Sequence, residues 1–199
     1  MKEADRNRRR RGDALIESIY DATVEVIKEV GYANLTFQLI ARAAKTSRTV
    51  LYRRWTTTLD LIHEIMAYKT TEALGGDLTD KLENTGSLRG DFLLLLTLYQ
   101  RFFFEVGPEI MNAFFFELGQ NSAGIAEIKR KATEKNILTM RKLLSFAQAR
   151  GEKLKEVSAI TLTLPFDLIR IEHILRQGTL DENQLGLLVE EILLPVFRA

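Results

Sequence analysis

Five acidic residues recur at every fourth position near the start of the chain, and this spacing predicts a long helix. They are Asp13, Glu17, Asp21, Glu25 and Glu29, and residues four apart lie on the same face of an α-helix. An opposite, mostly apolar stripe accompanies them, and no segment shows the period of two that is typical of a half-buried strand. Because only three prolines occur in 199 residues, few helices are interrupted, and the pattern predicts an all-α protein.

Capping residues, glycines and prolines divide the chain into about nine predicted helices. Their approximate ranges are 13–30, 36–44, 47–53, 58–74, 87–104, 109–118, 122–149, 155–177 and 181–197. Thr36 and Ser47 are the expected N-caps of the second and third helices. Asp181 and Gln184 have the spacing of a capping box for the last helix. Pro165 falls inside the eighth predicted helix, where it would produce a kink.

Composition limits the chemistry that the chain can perform. Without cysteine, disulfide bonds, thiolate metal sites and a cysteine nucleophile are excluded, and the only histidines are His63 and His173. No phosphate-binding glycine loop, nucleophile elbow or H-E-x-x-H sequence occurs, so we expect neither an enzyme nor a metal or cofactor. The most apolar segment, 92–104, is too short and too polar to span a bilayer. We therefore expect a soluble, cytoplasmic protein without a membrane partner.

Charge is distributed unevenly along the chain. The net charge is +1, but residues 1–60 carry +4 and residues 61–199 carry −3. Residues 1–12 hold six basic and two acidic side chains, and residues 32–58 hold five basic side chains and no acidic one. This segregation favours a polyanion as the partner of the N-terminal part. A solvated basic surface is the alternative interpretation of the same pattern.

Residues 35–55 read LTFQLIARAAKTSRTVLYRRW and predict two short helices joined by a tight turn at Lys45-Thr46. Apolar positions on both helices can pack against each other and against the first helix, which is the layout of a helix-turn-helix. The second helix would expose Arg48 and Thr49, which can bind guanine and contact the thymine methyl group in a major groove. Polar side chains at its C-terminal end suit phosphate oxygens, which fix the register on DNA. The alternative is a basic helical hairpin that only faces solvent.

These residues resemble the DNA-binding domain of the TetR family of bacterial transcriptional regulators. The resemblance covers residues 12–60 and rests on Gly31-Tyr32, Leu35-Thr36, Ile40-Ala41, Ala44, Ser47, Leu51-Tyr52-Arg53 and Trp55. It implies a helix-turn-helix domain over residues 13–57 and a ligand-binding and dimerisation domain over residues 58–199. Residues 1–12 are expected to form a flexible basic arm.

By position, the resemblance implies which side chains contact double-stranded DNA. They are Thr36, Gln38, Arg48, Thr49, Val50, Tyr52, Arg53, Arg54 and Thr58. The arm would add contacts to a minor groove or loose contacts to phosphates, through Arg8, Arg9, Arg10 and Arg11.

Three positions depart from the family pattern. Lys45 stands where the turn usually has glycine, so a left-handed backbone is expected at a lysine. Thr58 replaces a lysine that usually begins the fourth helix, which removes one charge. Arg54 replaces a histidine and could compensate for that loss.

The C-terminal part contains two further candidate features. Its aromatic and neighbouring side chains could line a cavity for a small-molecule effector, or pack as an ordinary core: Tyr99, Phe102, Phe103, Phe114, Phe115, Met140, Phe166 and His173. Two apolar stripes near the C-terminus could pair with a second copy of the chain, or face their own core: Leu168, Ile171, Leu175, Leu185, Leu188, Val189 and Ile192. The resemblance favours the cavity and the dimer interface.

Together these features predict a homodimeric, sequence-specific regulator of transcription. It would be a repressor that a small, apolar or aromatic ligand releases from a palindromic operator. The ligand would favour a state in which the two recognition helices no longer match successive major grooves. The alternative is a helical ligand- or partner-binding module without operator binding, and a third hypothesis is a small enzyme on the same scaffold.

Overall fold

The computed structural model describes residues 2–119, 123–176 and 178–199, and these residues form an all-α fold, as predicted. The α-helices are α1 (Lys2–Val30), α2 (Phe37–Ala43), α3 (Arg48–Tyr52), α4 (Thr58–Leu74), α5 (Leu78–Lys81), α6 (Leu88–Val106), α7 (Pro108–Gly119), α8 (Ala123–Ala149), α9 (Leu164–Ile171), α10 (Glu182–Leu188) and α11 (Leu194–Phe197). Short 3-10 turns cover Tyr32–Asn34 and Thr161–Thr163, and π-helical turns cover Glu172–Arg176 and Val189–Leu193. None of the described helices is long and apolar enough to cross a membrane.

The chain divides into two compact units. The reading unit comprises Met1–Tyr68 and Gly107–Glu117, and the helical unit comprises Lys69–Val106 and Leu118–Ala199. Most of α7 therefore packs in the reading unit, although it follows α6 in the sequence. The predicted division, which placed everything after residue 57 in one domain, did not anticipate this insertion.

The core of the reading unit forms where α1 packs against α2 and α2 packs against α3. Ile19 of α1, Ile40 of α2 and Leu51 of α3 are fully buried. The acidic residues that recur at every fourth position of α1 are exposed, as expected for a solvent-facing stripe. The long helix α1 and the short helices α2 and α3 thus share one apolar centre.

Helix α1 begins at Lys2, and not near residue 13 as predicted. The backbone of residues 2–12 is therefore helical, where a flexible arm was expected. These residues are rich in lysine, arginine, glutamate and alanine, which favour helix, and no proline interrupts them. The backbone of the four candidate arginines belongs to α1, but their side chains lie outside the described part of the structure: Arg8, Arg9, Arg10 and Arg11.

Helix α6 lies at the centre of the helical unit and packs against α8, α9 and α10. Phe92 and Leu96 of α6 are fully buried, as are Phe166 of α9 and Val189 in the following π-helical turn. This helix therefore organises the apolar core of the unit.

The predicted helix over 155–177 begins later than expected. Residues near 154 instead pair with the C-terminus: the Lys155 amide donates to the Phe197 carbonyl at 2.9 Å. Pro165 then falls in the first turn of α9, where an amide hydrogen has no helical acceptor to lose. The predicted kink at Pro165 is therefore wrong. The predicted capping box of Asp181 and Gln184 is confirmed at the start of α10.

Candidate nucleic-acid interface

Two hydroxyl caps fix the starts of the helices that form the candidate interface. The Thr36 hydroxyl oxygen accepts a hydrogen bond from the Leu39 amide at 3.3 Å, and the Ser47 hydroxyl oxygen accepts from the Val50 amide at 3.4 Å. Each cap satisfies an amide that has no acceptor within its own helix. Both predicted N-caps are confirmed, so α2 and α3 begin where the sequence indicated.

The turn between α2 and α3 contains a left-handed lysine. Lys45 has a φ of 51°, the only positive φ among the described non-glycine residues. The Thr46 amide donates to the Ala41 carbonyl at 2.9 Å, and the Lys45 amide donates to the Arg42 carbonyl at 3.3 Å. This pair of bonds is a Schellman motif, which normally has glycine at the left-handed position. The conformation expected at Lys45 is confirmed.

Most of the predicted DNA contacts lie on the solvent side of this motif. Six exposed residues form what we call the reading face: Thr36, Gln38, Arg48, Thr49, Tyr52 and Arg53. Val50 is half-buried, and Leu51 behind it is fully buried. Arg48 and Thr49 occupy the first turn of α3, the position from which a recognition helix reaches base edges. No described residue between positions 32 and 58 is acidic.

Tyr52 joins the two helices of the motif. Its ring is 62% exposed and packs edge-on against Phe37 of α2, with ring centroids 4.9 Å apart. Phe37 is itself buried. The contact holds the C-terminal end of α3 beside the start of α2, so the reading face draws residues from both helices.

Thr58 is placed differently from the reading face. It begins α4 and is half-buried, whereas the reading-face residues are exposed. In the same unit, the Tyr32 hydroxyl donates to Glu117 at 2.7 Å, and its ring packs edge-on against Phe116 at 5.7 Å. Burial and the carboxylate of Glu117 raise the pKa of Tyr32. The contacts of Tyr32 attach α7 to the reading unit.

Arg54, a predicted phosphate contact, is exposed and pairs with an acidic side chain of the same unit. Its guanidinium donates from Nε and from a terminal nitrogen to Glu64 Oε1, at 2.9 and 2.5 Å. Tyr20 and Trp55 donate to the same carboxylate. Sequence analysis missed this cluster, although one signal was present: the first acidic residues after position 29 are Asp60 and Glu64.

Five of the predicted ligand-site residues come together in the helical unit, where we call them the aromatic cluster: Tyr99, Phe102, Phe103, Phe166 and His173. Tyr99 stacks on Phe102 at 5.7 Å and meets Phe103 and Phe166 edge-on at 5.2 and 5.1 Å. Phe103 also stacks on the imidazole of His173, with ring centroids 4.6 Å apart and planes 8° apart. Such offset and edge-on contacts are favourable beyond the apolar area that they bury.

Two polar groups enter this cluster. The Arg170 guanidinium donates to the Tyr99 hydroxyl at 3.3 Å, and burial raises the pKa of Tyr99. His173 Nε2 is buried and has no hydrogen-bond partner among the described residues. Burial lowers the pKa of His173, which favours its neutral form. A buried nitrogen without a partner is uncommon in folded proteins.

The remaining predicted ligand residues are on α7 and α8. Phe114 and Phe115 belong to the reading unit, where Phe114 packs against His63 with ring centroids 5.5 Å apart. Met140 lies on α8 and is fully buried. Helical spacing alone could not separate these residues, because α7 packs in a different unit from α6.

Comparison with known proteins identifies the family. A family model described as bacterial regulatory proteins of the tetR family matches residues 19–65, and a model described as the tetracyclin repressor-like C-terminal domain matches residues 82–192. The chain belongs to the TetR family. The family consists of transcriptional regulators, which confirms that this TetR-family chain is not an enzyme.

Relatives of this TetR-family chain match most of its length. The DNA-binding transcriptional repressor TetR of Mycobacteroides abscessus is 22% identical over 188 residues, which cover 94% of this chain and 96% of that protein. The transcriptional regulator FadR from Bacillus subtilis, solved with stearoyl-CoA, has a TM-score of 0.67 at 17% identity, with 88% of this chain and 98% of that chain covered. The SmeT–triclosan complex has a TM-score of 0.61 at 15% identity, with 94% and 92% covered. At these identities the structural likeness shows the fold alone.

The apolar stripes predicted for a dimer interface of this TetR-family regulator are divided between its core and its surface. Leu185 and Val189 are buried in the core of their own chain, so assigning them to an interface is wrong. Ile171 and Leu175 are exposed, the latter by 75%. The other three predicted interface residues are half-buried: Leu168, Leu188 and Ile192.

The π-helical turns explain part of this difference. A π turn makes hydrogen bonds from i to i+5, so the residues after it rotate relative to the 3.6-residue period used in the prediction. Ile174 and Leu187 are exposed although neither was predicted to be at an interface. Both predicted stripes run into a π turn, at Glu172–Arg176 and at Val189–Leu193.

Acidic and histidine side chains do not form a metal site in the described ranges. Within residues 2–119, 123–176 and 178–199, no group of three or more histidine, aspartate or glutamate side chains could hold a metal ion.

Proposed function

We propose that this TetR-family regulator is a homodimeric repressor that binds a palindromic operator and leaves it when a small apolar or aromatic ligand binds. The observation that carries the proposal is the reading face. It combines an exposed Arg48 and Thr49 at the first turn of a capped helix with the absence of acidic residues from positions 32–58. Arginine discriminates guanine by a bidentate contact, and a basic surface free of carboxylates attracts the phosphate backbone.

The first experiment asks whether the chain prefers a DNA sequence. Duplexes bound from a random pool are sequenced, and the enriched duplex is compared with random DNA by fluorescence anisotropy at fixed salt. The proposal expects a two-fold symmetric enriched sequence whose half-sites lie one helical turn or a multiple apart. Binding that enriches no sequence would instead favour a helical ligand- or partner-binding module without an operator.

Dimerisation is proposed from the exposed apolar residues near the C-terminus. Ile171, Ile174, Leu175 and Leu187 all expose apolar surface. Apolar groups on two consecutive helices can pair with their symmetry mates as a four-helix bundle. A two-fold interface would also match the symmetry expected of the operator.

Leu175→Glu tests the interface directly. Because this side chain is already exposed, a glutamate should leave the fold intact but place a charge in the interface, giving monomers by light scattering. Ile160→Glu is the matched control, since Ile160 is 81% exposed and lies outside the last helices. A folded Leu175→Glu variant that remains dimeric would contradict the proposed interface.

Ligand release is proposed for the aromatic cluster. The cluster presents apolar ring faces together with His173 Nε2, which lacks a protein partner among the described residues and could hydrogen-bond with a ligand. The structural neighbours FadR and SmeT were solved with stearoyl-CoA and triclosan, which are reasonable probes here. A ligand releases DNA only if it binds more tightly to the DNA-free state.

The ligand experiment titrates the operator complex with stearoyl-CoA and, separately, with triclosan. Loss of anisotropy identifies a releasing ligand. Phe103→Leu should weaken that release, and Phe104→Leu is the matched control because Phe104 lies on the same helix and is exposed. Equal weakening by both variants would place the ligand outside the aromatic cluster.

A further inference from the structure

Three separate donors converge on the carboxylate of Glu64. The Tyr20 hydroxyl of α1 donates to Oε1 at 2.6 Å, and the Trp55 indole nitrogen donates to Oε2 at 3.0 Å. Arg54 donates to Oε1 through two nitrogens. One side chain of α4 therefore connects α1 with the segment that immediately follows α3.

The geometry restricts Arg54 more than a surface ion pair would. Its guanidinium carbon lies 5.4 Å from the centroid of the Trp55 ring, which is buried. The contact with the ring and the two bonds to Glu64 together orient the planar guanidinium. Arg53, which caps the C-terminal end of α3, is exposed like Arg54, but no ion pair involves Arg53 among the described residues.

The electrostatics keep the cluster charged. Burial of the Glu64 carboxylate opposes its ionisation, but the hydrogen bonds from Arg54, Tyr20 and Trp55 outweigh burial and hold the pKa of Glu64 below its usual value. Hydrogen bonding to Glu64 raises the pKa of Arg54 despite some burial. At neutral pH the two charges therefore compensate each other at the end of the recognition helix.

We propose that Glu64 is a positioning residue that withholds the Arg54 charge from DNA phosphates and fixes the C-terminal end of α3 against α1 and α4. This inference rests on the proposed function, since it concerns how the reading face meets DNA. Neighbouring arginines then have different roles: Arg53 is free to approach the backbone of DNA, whereas Arg54 is neutralised within the protein. A residue that merely stabilised the fold would not change the number of counterions released on binding.

The salt dependence of DNA binding separates these roles. Each phosphate that a protein neutralises adds about 0.9 to the slope of log affinity against log salt concentration. With random duplex DNA, Arg54→Ala should leave the wild-type slope unchanged. Glu64→Gln should steepen the slope by about 0.9 for each bound protomer, and the double variant should lose that increase. Asp21→Asn is the control for removing one negative charge, because Asp21 is exposed on α1 of the same unit.

Two results would overturn the proposal. One is a slope that falls by about 0.9 per protomer in Arg54→Ala, because Arg54 would then contact phosphate in the wild type. The other is an unchanged slope in a folded Glu64→Gln variant. If Glu64→Gln does not fold, Arg54→Ala alone decides between the two roles.

A measurement without DNA separates this proposal from the proposed function. If the wild-type chain binds no duplex, the proposed function fails, but the placement of Arg54 can still be tested. Thermal unfolding of Arg54→Ala, Glu64→Gln and the double variant forms a double-mutant cycle. Non-additive shifts in unfolding temperature support the pairing of Arg54 with Glu64, and additive shifts overturn it.

Discussion

The reading face and the aromatic cluster differ in how far their candidate functional side chains are exposed to solvent. On the reading face, the functional candidates are exposed and stand on a small buried support, with Leu51 directly behind Val50. In the aromatic cluster, the candidate side chains form part of the apolar core, since Phe103 and Phe166 are buried and contact Tyr99. A substitution on the reading face can therefore remove a contact with DNA and leave the fold intact. A substitution in the cluster changes packing and ligand binding together.

This difference decides what can be learned from each region. Effects on DNA binding and effects on stability should be separable for Arg48 but not for Phe166. If substitutions of Arg48 and Phe166 change stability to the same extent, one of two explanations holds. Either the reading face has a structural role, or the cluster is loosely packed and open to a ligand. Substitutions in the two regions test this difference between exposed and buried side chains.

Phe166→Ala should give the largest loss of stability. Phe166 is fully buried, and removing a buried phenyl group costs about 3–5 kcal/mol of unfolding free energy. Urea denaturation measures the loss, and Phe104→Ala is the matched control, because Phe104 is 70% exposed and should change stability by no more than about 0.5 kcal/mol. A loss of less than about 1 kcal/mol for Phe166→Ala would indicate space around the ring, as expected of a cavity and not of a packed core.

Arg48→Ala should show the opposite behaviour. Because Arg48 is exposed, its removal should change the unfolding free energy by no more than about 0.5 kcal/mol. Binding to the preferred operator should weaken by roughly 1–3 kcal/mol per half-site, with relaxed specificity at one base position. Anisotropy titrations with the operator and with random DNA measure both effects. Equal losses on the two DNAs would show that Arg48 contacts phosphate and reads no base.

The reading unit was largely predictable because short-range rules determine its structure. A cap, a turn and a buried apolar position each involve residues within a few positions of one another, as Thr36 and Ser47 show. The sequence therefore predicted α2, α3 and the exposure of Arg48 at the right positions. It could not predict the partner of Arg54, because Glu64 reaches that arginine only after α4 has folded against α1.

The helical unit was predictable in its helices but not in their contacts. Periodicity identified α6 and α8, since long amphipathic segments carry a strong signal. It could not show that Phe114 belongs to the reading unit and Phe103 to the helical unit, because that depends on the division of the chain into units. Nor could it show that Val189 is buried, since a π turn changes which residues share a face.

Lys45→Gly should have the smallest effect. At a φ of 51° the Cβ of lysine crowds its own backbone, at a cost of roughly 1–2 kcal/mol that glycine avoids. Glycine in turn loses more conformational entropy on folding, roughly 0.5–1 kcal/mol. The net effect is a gain of about 0.5–1 kcal/mol in unfolding free energy relative to Lys45→Ala. Alanine is the proper reference because both variants remove the lysine charge but only alanine keeps the Cβ.

Urea denaturation of the two Lys45 variants isolates this backbone term, because any electrostatic change at Lys45 is shared and cancels in the difference. DNA affinity should fall equally in both variants if the lysine charge contributes to the basic surface. A glycine variant no more stable than the alanine variant would mean that the conformational entropy that glycine loses on folding offsets the left-handed strain that it relieves. A glycine variant that is more stable but reads DNA less selectively would instead show that the lysine stiffens the turn and so holds α3 in register with α2.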